Sequence, residues 1–169
     1  MISIVNGDIT RRPTEAIVNA ANASLLAGSG VSGAIHRAAG PELEAECRDI
    51  GPCPVGEARI TSAYGLPNKY VIHAVPPRYW DGTKNEAAQL RRCYEAIFEL
   101  AANHRIGSIA IPAIGTGIYR RPLREATCIA IEVAKKSLET VRVDVEFVCF
   151  DETVSNIYEM CLISRVPSL

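Results

Sequence analysis

Short apolar strands alternate with helical patterns along this chain, and this alternation restricts its fold more than any other feature. Runs rich in Val and Ile suit strands that are covered on both faces. They occur at 2–5, 16–19, 58–62, 70–75, 108–112 and 143–150. Apolar residues at three- and four-residue spacing predict helices within 90–101 and 126–134, with further helices at 33–39 and from Pro41 onward. The alternation predicts a three-layer α/β/α fold around a mixed, largely parallel sheet.

Length and charge narrow the class of protein. The 169 residues, 48% of them hydrophobic, fit one domain spanning 1–169. With 18 basic and 19 acidic side chains the net charge is −1, which argues against a general nucleic-acid binder. The start at Met1 resembles no signal peptide, and no apolar run approaches the roughly 18 residues of a membrane span. We therefore expect a cytoplasmic protein without a membrane partner.

The cysteines and histidines predict neither a disulfide framework nor a metal centre. No two of the six cysteines form a C-x-x-C pair, and their apolar surroundings predict reduced core residues. The three histidines lack the close spacing of a zinc site, so we expect no metal. His36 and His73 are interpreted as structural, and His104 as a residue at a helix end.

A first glycine loop, Gly-Ser-Gly-Val-Ser-Gly at 28–33, precedes a helical pattern. Glycines permit a tight turn in which backbone N–H groups at a helix start face a phosphate, although such a turn can also merely begin a helix. The loop matches the dinucleotide fingerprint of nicotinamide-dependent oxidoreductases. About eight residues separate it from the preceding strand, however, and Cys-Pro-Val-Gly at 53–56 occupies the place of the expected second strand. We therefore disfavour an oxidoreductase.

A second glycine loop, Ala-Ile-Gly-Thr-Gly-Ile-Tyr at 113–119, follows the strand predicted at 108–112. No Lys-Ser or Lys-Thr follows it, so it is not a Walker A motif. Two loops of this kind could enclose a diphosphate from opposite sides. Their N–H groups would bind the anion without adding positive charge, in agreement with the near-neutral composition.

Polar residues also follow two of the predicted strands. Asn19 and Asn22 flank two alanines after the strand at 16–19, and Asp8 follows the first strand. The asparagines could satisfy their own turn, or Asn22 could face a cavity and position a ribose hydroxyl or a water. Asp8 could cap the next segment or accept a hydrogen bond from a purine amino group.

Taken together, these segments resemble the macrodomain family of ADP-ribose-binding modules, and within it the MacroD-type branch. The matching segments span nearly the whole chain in the family's order. They are Gly-Asp-Ile-Thr at 7–10, Asn-Ala-Ala-Asn at 19–22, Gly-Val-Ser-Gly-Ala-Ile-His-Arg-Ala-Ala-Gly at 30–40, Gly-Glu-Ala at 56–58, Tyr-Val-Ile-His-Ala-Val at 70–75 and Ile-Pro-Ala-Ile-Gly-Thr-Gly-Ile-Tyr at 111–119.

The resemblance implies a binding site for ADP-ribose or O-acetyl-ADP-ribose. Asp8 would bind the adenine amino group, Ile9 would line that pocket and Phe150 would pack on the purine. The glycine loops would hold the diphosphate, Asn22 would contact the distal ribose, and Tyr119 would close over it. The full implied set is Asp8, Ile9, Asn22, Ser29, Gly30, Val31, Ser32, Gly33, Pro112, Gly115, Thr116, Gly117, Ile118, Tyr119 and Phe150.

The implied activity is hydrolysis of an ester at the distal ribose, without a cofactor, on mono-ADP-ribosylated proteins or O-acetyl-ADP-ribose. Asn22 and Ser32 are the candidate catalytic residues. MacroD-type hydrolases usually carry Asp where this chain has Ser32, and a serine without a basic partner is no general base near neutral pH. Some members that this chain resembles also lack the Asp and are regarded as hydrolases. The alternative is a module that reads ADP-ribose and catalyses nothing.

Overall fold

The computed structural model describes residues 1–78, 85–114 and 122–164. Six strands are present in this part of the chain: β1 Ile2–Asn6, β2 Ala16–Ala20, β3 Ala58–Ser62, β4 Tyr70–Ala74, β5 Ser108–Pro112 and β6 Asp144–Cys149. Five α-helices accompany them: α1 Gly30–Ala39, α2 Pro41–Ile50, α3 Glu86–Asn103, α4 Leu123–Ser137 and α5 Glu152–Ile163. Every predicted strand is confirmed to within two residues at either end.

The strands form one sheet in the order β1-β6-β5-β2-β4-β3. All neighbours run parallel except β3, which pairs antiparallel with β4 at the edge. The predicted mixed, largely parallel sheet is therefore confirmed. The antiparallel edge strand also follows α1 and α2, where a dinucleotide-binding unit would place a parallel second strand. This topology also disfavours the oxidoreductase interpretation.

Helices cover both faces of the sheet, which explains why the strands are apolar without alternation. Successive side chains of a strand point to opposite faces. On β2, Ile17 packs in the cluster that includes Ile35 of α1 and Leu43 of α2. Its neighbour Val18 packs in the cluster that contains α3, α4 and α5. The result is the three-layer arrangement that the sequence predicts.

Helix α1 begins three residues earlier than the sequence pattern indicates. Ser29 is its N-cap with an extended backbone, and Gly30 has a φ of +60°, a conformation that glycine adopts without strain. The first glycine loop therefore runs directly into the helix, and Ser32 lies within the first turn. Among the described residues, no helix has both the length and the apolar character to cross a membrane.

Candidate functional site

The polar residues singled out in the sequence meet at one edge of the sheet. Because β1, β2, β5 and β6 are parallel, their carboxyl ends lie on the same side. Asn6 at the end of β1 pairs in register with Cys149, and Pro112 at the end of β5 pairs with Val148. Asp8, Asn22 and Phe150 follow the ends of β1, β2 and β6. Ligands of open α/β sheets bind at this edge.

The first glycine loop places the N-terminus of α1 at this edge. The first backbone N–H groups of an α-helix have no partner within the helix and attract anions. Ser29 makes no side-chain cap bond, and the Gly33 N–H reaches the Ser29 carbonyl only at 3.5 Å. A Cβ at Gly33 would lie 2.7 Å from the Gly28 carbonyl oxygen, so the close approach of loop and helix requires glycine there.

Asn22 and Ser32, the two candidate catalytic residues, both lie close to Gly28. A Cβ built on Gly28 would be 3.6 Å from Asn22 Nδ2 and 3.8 Å from Ser32 Oγ. Ser24 Oγ donates to Asn22 Oδ1 at 2.7 Å, which fixes the amide. The Asn22 carbonyl also accepts from the Leu25 N–H at 3.0 Å. Asn22 therefore stabilises its own turn and also presents its amide nitrogen beside the glycine loop.

Ser32 is buried and already has a hydrogen-bond partner. Its Oγ accepts from the Gly28 N–H at 3.3 Å, reaching back from the first turn of α1 across the loop. This contact ties the two ends of the glycine loop together. It also provides Ser32 with a role in shaping the loop that needs no ionisable group.

Asp8 caps a short 3-10 helix, Ile9–Arg11, immediately after β1. Its Oδ1 accepts from the Thr10 hydroxyl at 2.7 Å and from the Thr10 N–H at 2.9 Å. These bonds lower the pKa of the exposed Asp8 carboxyl, with Arg11 adding to the effect, so it is ionised at neutral pH. Ile9 is buried beneath it at 5% exposure.

Two side chains that the sequence analysis missed hold this segment in place. Arg12 makes a two-pronged ion pair with Glu146 of β6, with Nε–Oε2 and Nη2–Oε1 distances of 2.8 and 3.0 Å. Asn68 Nδ2 donates to the carbonyls of Arg12 and Thr14. Arg12 and Glu146 are 134 residues apart, and only the pairing of β1 with β6 brings them together.

Phe150 is 74% exposed, directly beyond β6. A large aromatic side chain this exposed contributes little to the core, and a flat ring at the ligand-binding edge suits stacking on a base. The Gly7 N–H bonds the Cys149 carbonyl at 3.1 Å, so the segments carrying Asp8 and Phe150 leave the sheet side by side.

A buried polar network lies below the asparagine turn. Asn19 Nδ2 is 3.2 Å from His73 Nδ1, and the Thr61 hydroxyl is 2.9 Å from His73 Nε2. Cys47 Sγ is 3.7 Å from the same Nε2. Burial lowers the pKa of His73 to about 3 and raises that of the Cys47 thiol to about 11, so both are neutral at pH 7. The network anchors Asn19, three residues before Asn22.

Two of the three histidines, His36 and His73, lie close together in the fold although they are distant in the sequence. His36, Cys47 and His73 could each offer one metal ligand, and these atoms lie within 4.8 Å of one another. Both ring nitrogens of His73 already have polar neighbours, Asn19 and Thr61, and neither requires a metal. The structural interpretation of His73 therefore holds. His104 ends α3 as predicted, with Nδ1 3.0 Å from the Leu100 carbonyl.

The second glycine loop, with the predicted site residues Gly115, Thr116, Gly117, Ile118 and Tyr119, lies outside the described residues. Of its flanks, Pro112 is buried at the end of β5 and α4 begins at Leu123. Two open cavities of about 390 and 250 Å³ lie elsewhere. The larger is at the amino ends of β1 and β6, opposite the candidate site.

These features define the class of protein: a three-layer α/β protein with a glycine loop suited to bind an anion and a fixed asparagine, both at the carboxyl edge of its sheet. The family model described as "Macro domain" matches residues 18–130. The chain belongs to the macro domain family, and the resemblance noted in its sequence is confirmed. It is 50% identical over 159 residues to a macro domain-containing protein of Mesorhizobium japonicum, covering 93% of this chain and 90% of that protein.

A second relative carries a named activity. The chain is 48% identical over 163 residues to O-acetyl-ADP-ribose deacetylase 1 of Pantoea vagans, covering 93% of this chain and 95% of that protein. Among solved structures, a variant of the Oceanobacillus iheyensis macrodomain with ADPR superposes with a TM-score of 0.89 at 41% identity, covering 94% of this chain and 90% of that one. The Trypanosoma brucei macrodomain in complex with ADP-ribose gives 0.87 at 40% identity, covering 95% and 66%.

Proposed function

We propose that this chain binds ADP-ribose at the carboxyl edge of its sheet and hydrolyses esters at the distal ribose. The observation that carries the proposal is the placement of Asn22 Nδ2 and Ser32 Oγ around Gly28, at the N-terminus of α1. The deacetylase name of the Pantoea relative and the ADP-ribose bound by two structural neighbours support it.

The proposed ligand lies across four strand ends. Adenine sits between the ionised Asp8, which accepts from its amino group, and the exposed ring of Phe150. The diphosphate lies on the first turn of α1 and against residues 115–119. Backbone N–H groups neutralise it there, which suits a chain with a net charge of −1. The distal ribose then reaches Asn22.

The proposed reaction is attack of a water on the ester at the distal ribose, which releases ADP-ribose and a carboxylic acid. The site holds the reacting groups together, so positioning supplies much of the rate. Asn22 donates from Nδ2 to the ribose. N–H groups of the glycine loop stabilise developing negative charge. Ser32 stays neutral and fixes Gly28, so a phosphate oxygen of the ligand orients the water.

The proposed substrates are proteins that carry ADP-ribose on acidic side chains, and O-acetyl-ADP-ribose. We also place the protein in the cytoplasm, because its six cysteines lie in apolar segments and form no C-x-x-C pair, as expected of reduced core residues.

The test is a time course of ADP-ribose release from a glutamate-ADP-ribosylated protein, and of acetate release from O-acetyl-ADP-ribose, with enzyme far below substrate. We expect several turnovers per molecule. Asn22→Ala should lower turnover by about 100-fold or more, because it removes one hydrogen-bond donor to the transition state. The variant should retain much of the affinity for ADP-ribose.

A matched pair of glycine substitutions separates the site from the fold. Gly28→Ala places a methyl next to both Asn22 and Ser32 at ordinary contact distances, so we expect normal stability with reduced turnover. Gly107→Ala, at the opposite edge and 3.7 Å from Glu15 Oε2, should leave both unchanged. Equal activity in the two variants would contradict the assignment of the site.

The second candidate function is a module that binds ADP-ribose without catalysis. It is favoured because Ser32, which accepts a hydrogen bond from the Gly28 N–H, provides no ionisable base. Absence of turnover on both substrates, with ADP-ribose binding intact by calorimetry, would favour the non-catalytic module or hydrolysis of another linkage. Absence of ADP-ribose binding would refute both functions.

A further inference from the structure

Two cysteines on neighbouring helices approach more closely than unbonded atoms normally do. Cys128 Sγ of α4 lies 2.8 Å from Cys161 Sγ of α5. Even carbon atoms, which are smaller than sulfur, rest about 3.5–4.0 Å apart when unbonded, and a disulfide places its sulfurs about 2.05 Å apart. Both residues are free thiols in the structure. The pair is therefore placed where a small movement would join it.

The surroundings of the pair give it access and a fixed geometry. Cys161 is buried in the last turn of α5 at 4% exposure, whereas Cys128 in the second turn of α4 is partly exposed. The two helices pack together, and Lys135 Nζ of α4 donates to the Leu162 carbonyl of α5 at 2.8 Å. Cys128 is therefore the more accessible of the two cysteines to an oxidant in solution, whereas Cys161 is buried next to it.

We propose that Cys128 and Cys161 are a redox modification site that forms a reversible disulfide with a low-molecular-mass disulfide such as oxidised glutathione. The Cys128 thiol gives its proton to water, and the resulting thiolate attacks one sulfur of glutathione disulfide, which forms a mixed disulfide and expels one glutathione thiolate. The Cys161 thiol loses its proton to the released thiolate and attacks the Cys128 sulfur. A second glutathione thiolate leaves and takes a proton from water. The two protein thiols lose two electrons, and one glutathione disulfide gains them.

The order of the two steps follows from burial. Desolvation, together with the hydrogen bond to Cys128, raises the pKa of Cys161 to about 12. A buried, protonated thiol is a poor first nucleophile, so the partly exposed Cys128 reacts with the oxidant. Cys161 then acts only within the pair, where contact with Cys128 compensates for its low thiolate fraction.

The disulfide would tie together the two helices that leave the candidate site. Helix α4 begins at Leu123, just after residues 115–121, and α5 begins two residues after Phe150. A cross-link between residues 33 positions apart restricts the unfolded chain. We expect the oxidised protein to melt higher by roughly 10 °C, with the difference abolished by dithiothreitol.

The experiment equilibrates the purified chain with reduced and oxidised glutathione in defined ratios. Thiols are quenched with acid and then alkylated in urea. Intact mass should show two alkyl groups fewer on the oxidised protein than on the reduced one. Peptide mapping should then recover residues 128 and 161 in one cross-linked species.

Cys128→Ser removes the entry thiol at a partly exposed position, so the variant should fold and lose both the cross-link and the thermal shift. Cys53→Ala, a thiol outside the pair, should keep both. Six alkylated thiols at every glutathione ratio would overturn the proposal. A glutathione adduct that persists on Cys128 without resolving would also overturn it, because it would show that Cys161 does not reach its partner.

Discussion

Lowering the pH from 7 to 5 should destabilise the folded chain by about 2 kcal/mol through His73 alone. His73 is fully buried on β4, with Asn19 at its Nδ1 and Thr61 at its Nε2. Burial, with a smaller contribution from the nearby His36, lowers its pKa from 6.5 to about 3. The folded protein therefore keeps the ring neutral over a pH range in which the unfolded chain protonates it.

The sign and size follow from proton linkage. Below pH 6.5, His73 binds a proton in the unfolded state but stays neutral in the folded state. The free energy of unfolding therefore falls as the pH falls, and it levels off only below the folded-state pKa. Each pH unit between the two values removes about 1.4 kcal/mol, and 1.5 units separate 6.5 from 5. The result at pH 5 is insensitive to the folded-state pKa as long as that lies well below 5. His36, whose pKa burial also lowers, adds loss in the same direction.

The assay is urea unfolding at pH 7, 6 and 5 for the parent chain and for His73→Gln. Gln has no charge to gain, so the variant should lose about 2 kcal/mol of the pH dependence, whatever its stability at pH 7. His104→Gln, an exposed position, is the control for mutation of a histidine. Asp8 does not interfere, because its lowered pKa makes its stabilising contribution disappear only as the pH falls through and below about 3.8.

The same reasoning has a readout that needs no variant. Imidazole nitrogen shifts should show a neutral His73 at pH 5 in the folded chain. A ring that titrates above pH 5.5, or a His73→Gln protein with the parent's full pH slope, would refute the argument that desolvation of this side chain governs acid stability.

Three further substitutions test the glycine loops and the serine. Ser32→Asp should raise turnover about tenfold or more, since a positioned base typically contributes at least that much; lower turnover would show that the loop is tuned otherwise. Gly33→Ala should cost about 1–3 kcal/mol in urea unfolding and weaken ADP-ribose binding in calorimetry, because its Cβ would lie 2.7 Å from the Gly28 carbonyl. Gly117→Glu should weaken binding about 100-fold or more by placing a carboxylate against the diphosphate, and unchanged affinity would refute the second phosphate contact.

Local patterns predicted most of the fold, because each element carries its own signal. Both faces of the sheet are covered, so strands such as Ser108–Pro112 are continuous apolar runs with clear ends. The start of α1 was misplaced because glycines have weak helix propensity. Ser29 and Gly30 begin the helix by their backbone conformation, which a periodicity of apolar residues does not reveal.

The candidate site was predictable only where its residues follow strand ends in short motifs. Asp8, Asn22 and the glycine loop belong to turn and helix-cap motifs, which can be recognised from a few neighbouring residues. The pair Arg12–Glu146 and the network around His73 join residues that lie 12 to 134 positions apart. No local pattern indicates such partners. For the same reason the sequence does not indicate that α1 and β4 bring His36 and His73 into one cluster.

A comparison of Ser with Asp at position 32 of the glycine loop distinguishes the structural role of this position from its chemical role. Ser32 Oγ accepts from the Gly28 N–H, and a carboxylate oxygen at the same place would accept the same bond. A negative charge in the first turn of α1 would also be favoured by the helix dipole. The loop therefore needs an acceptor at this position, which either residue provides. Because either acceptor preserves the loop, a higher rate in Ser32→Asp would report on proton transfer and not on a change in the shape of the loop.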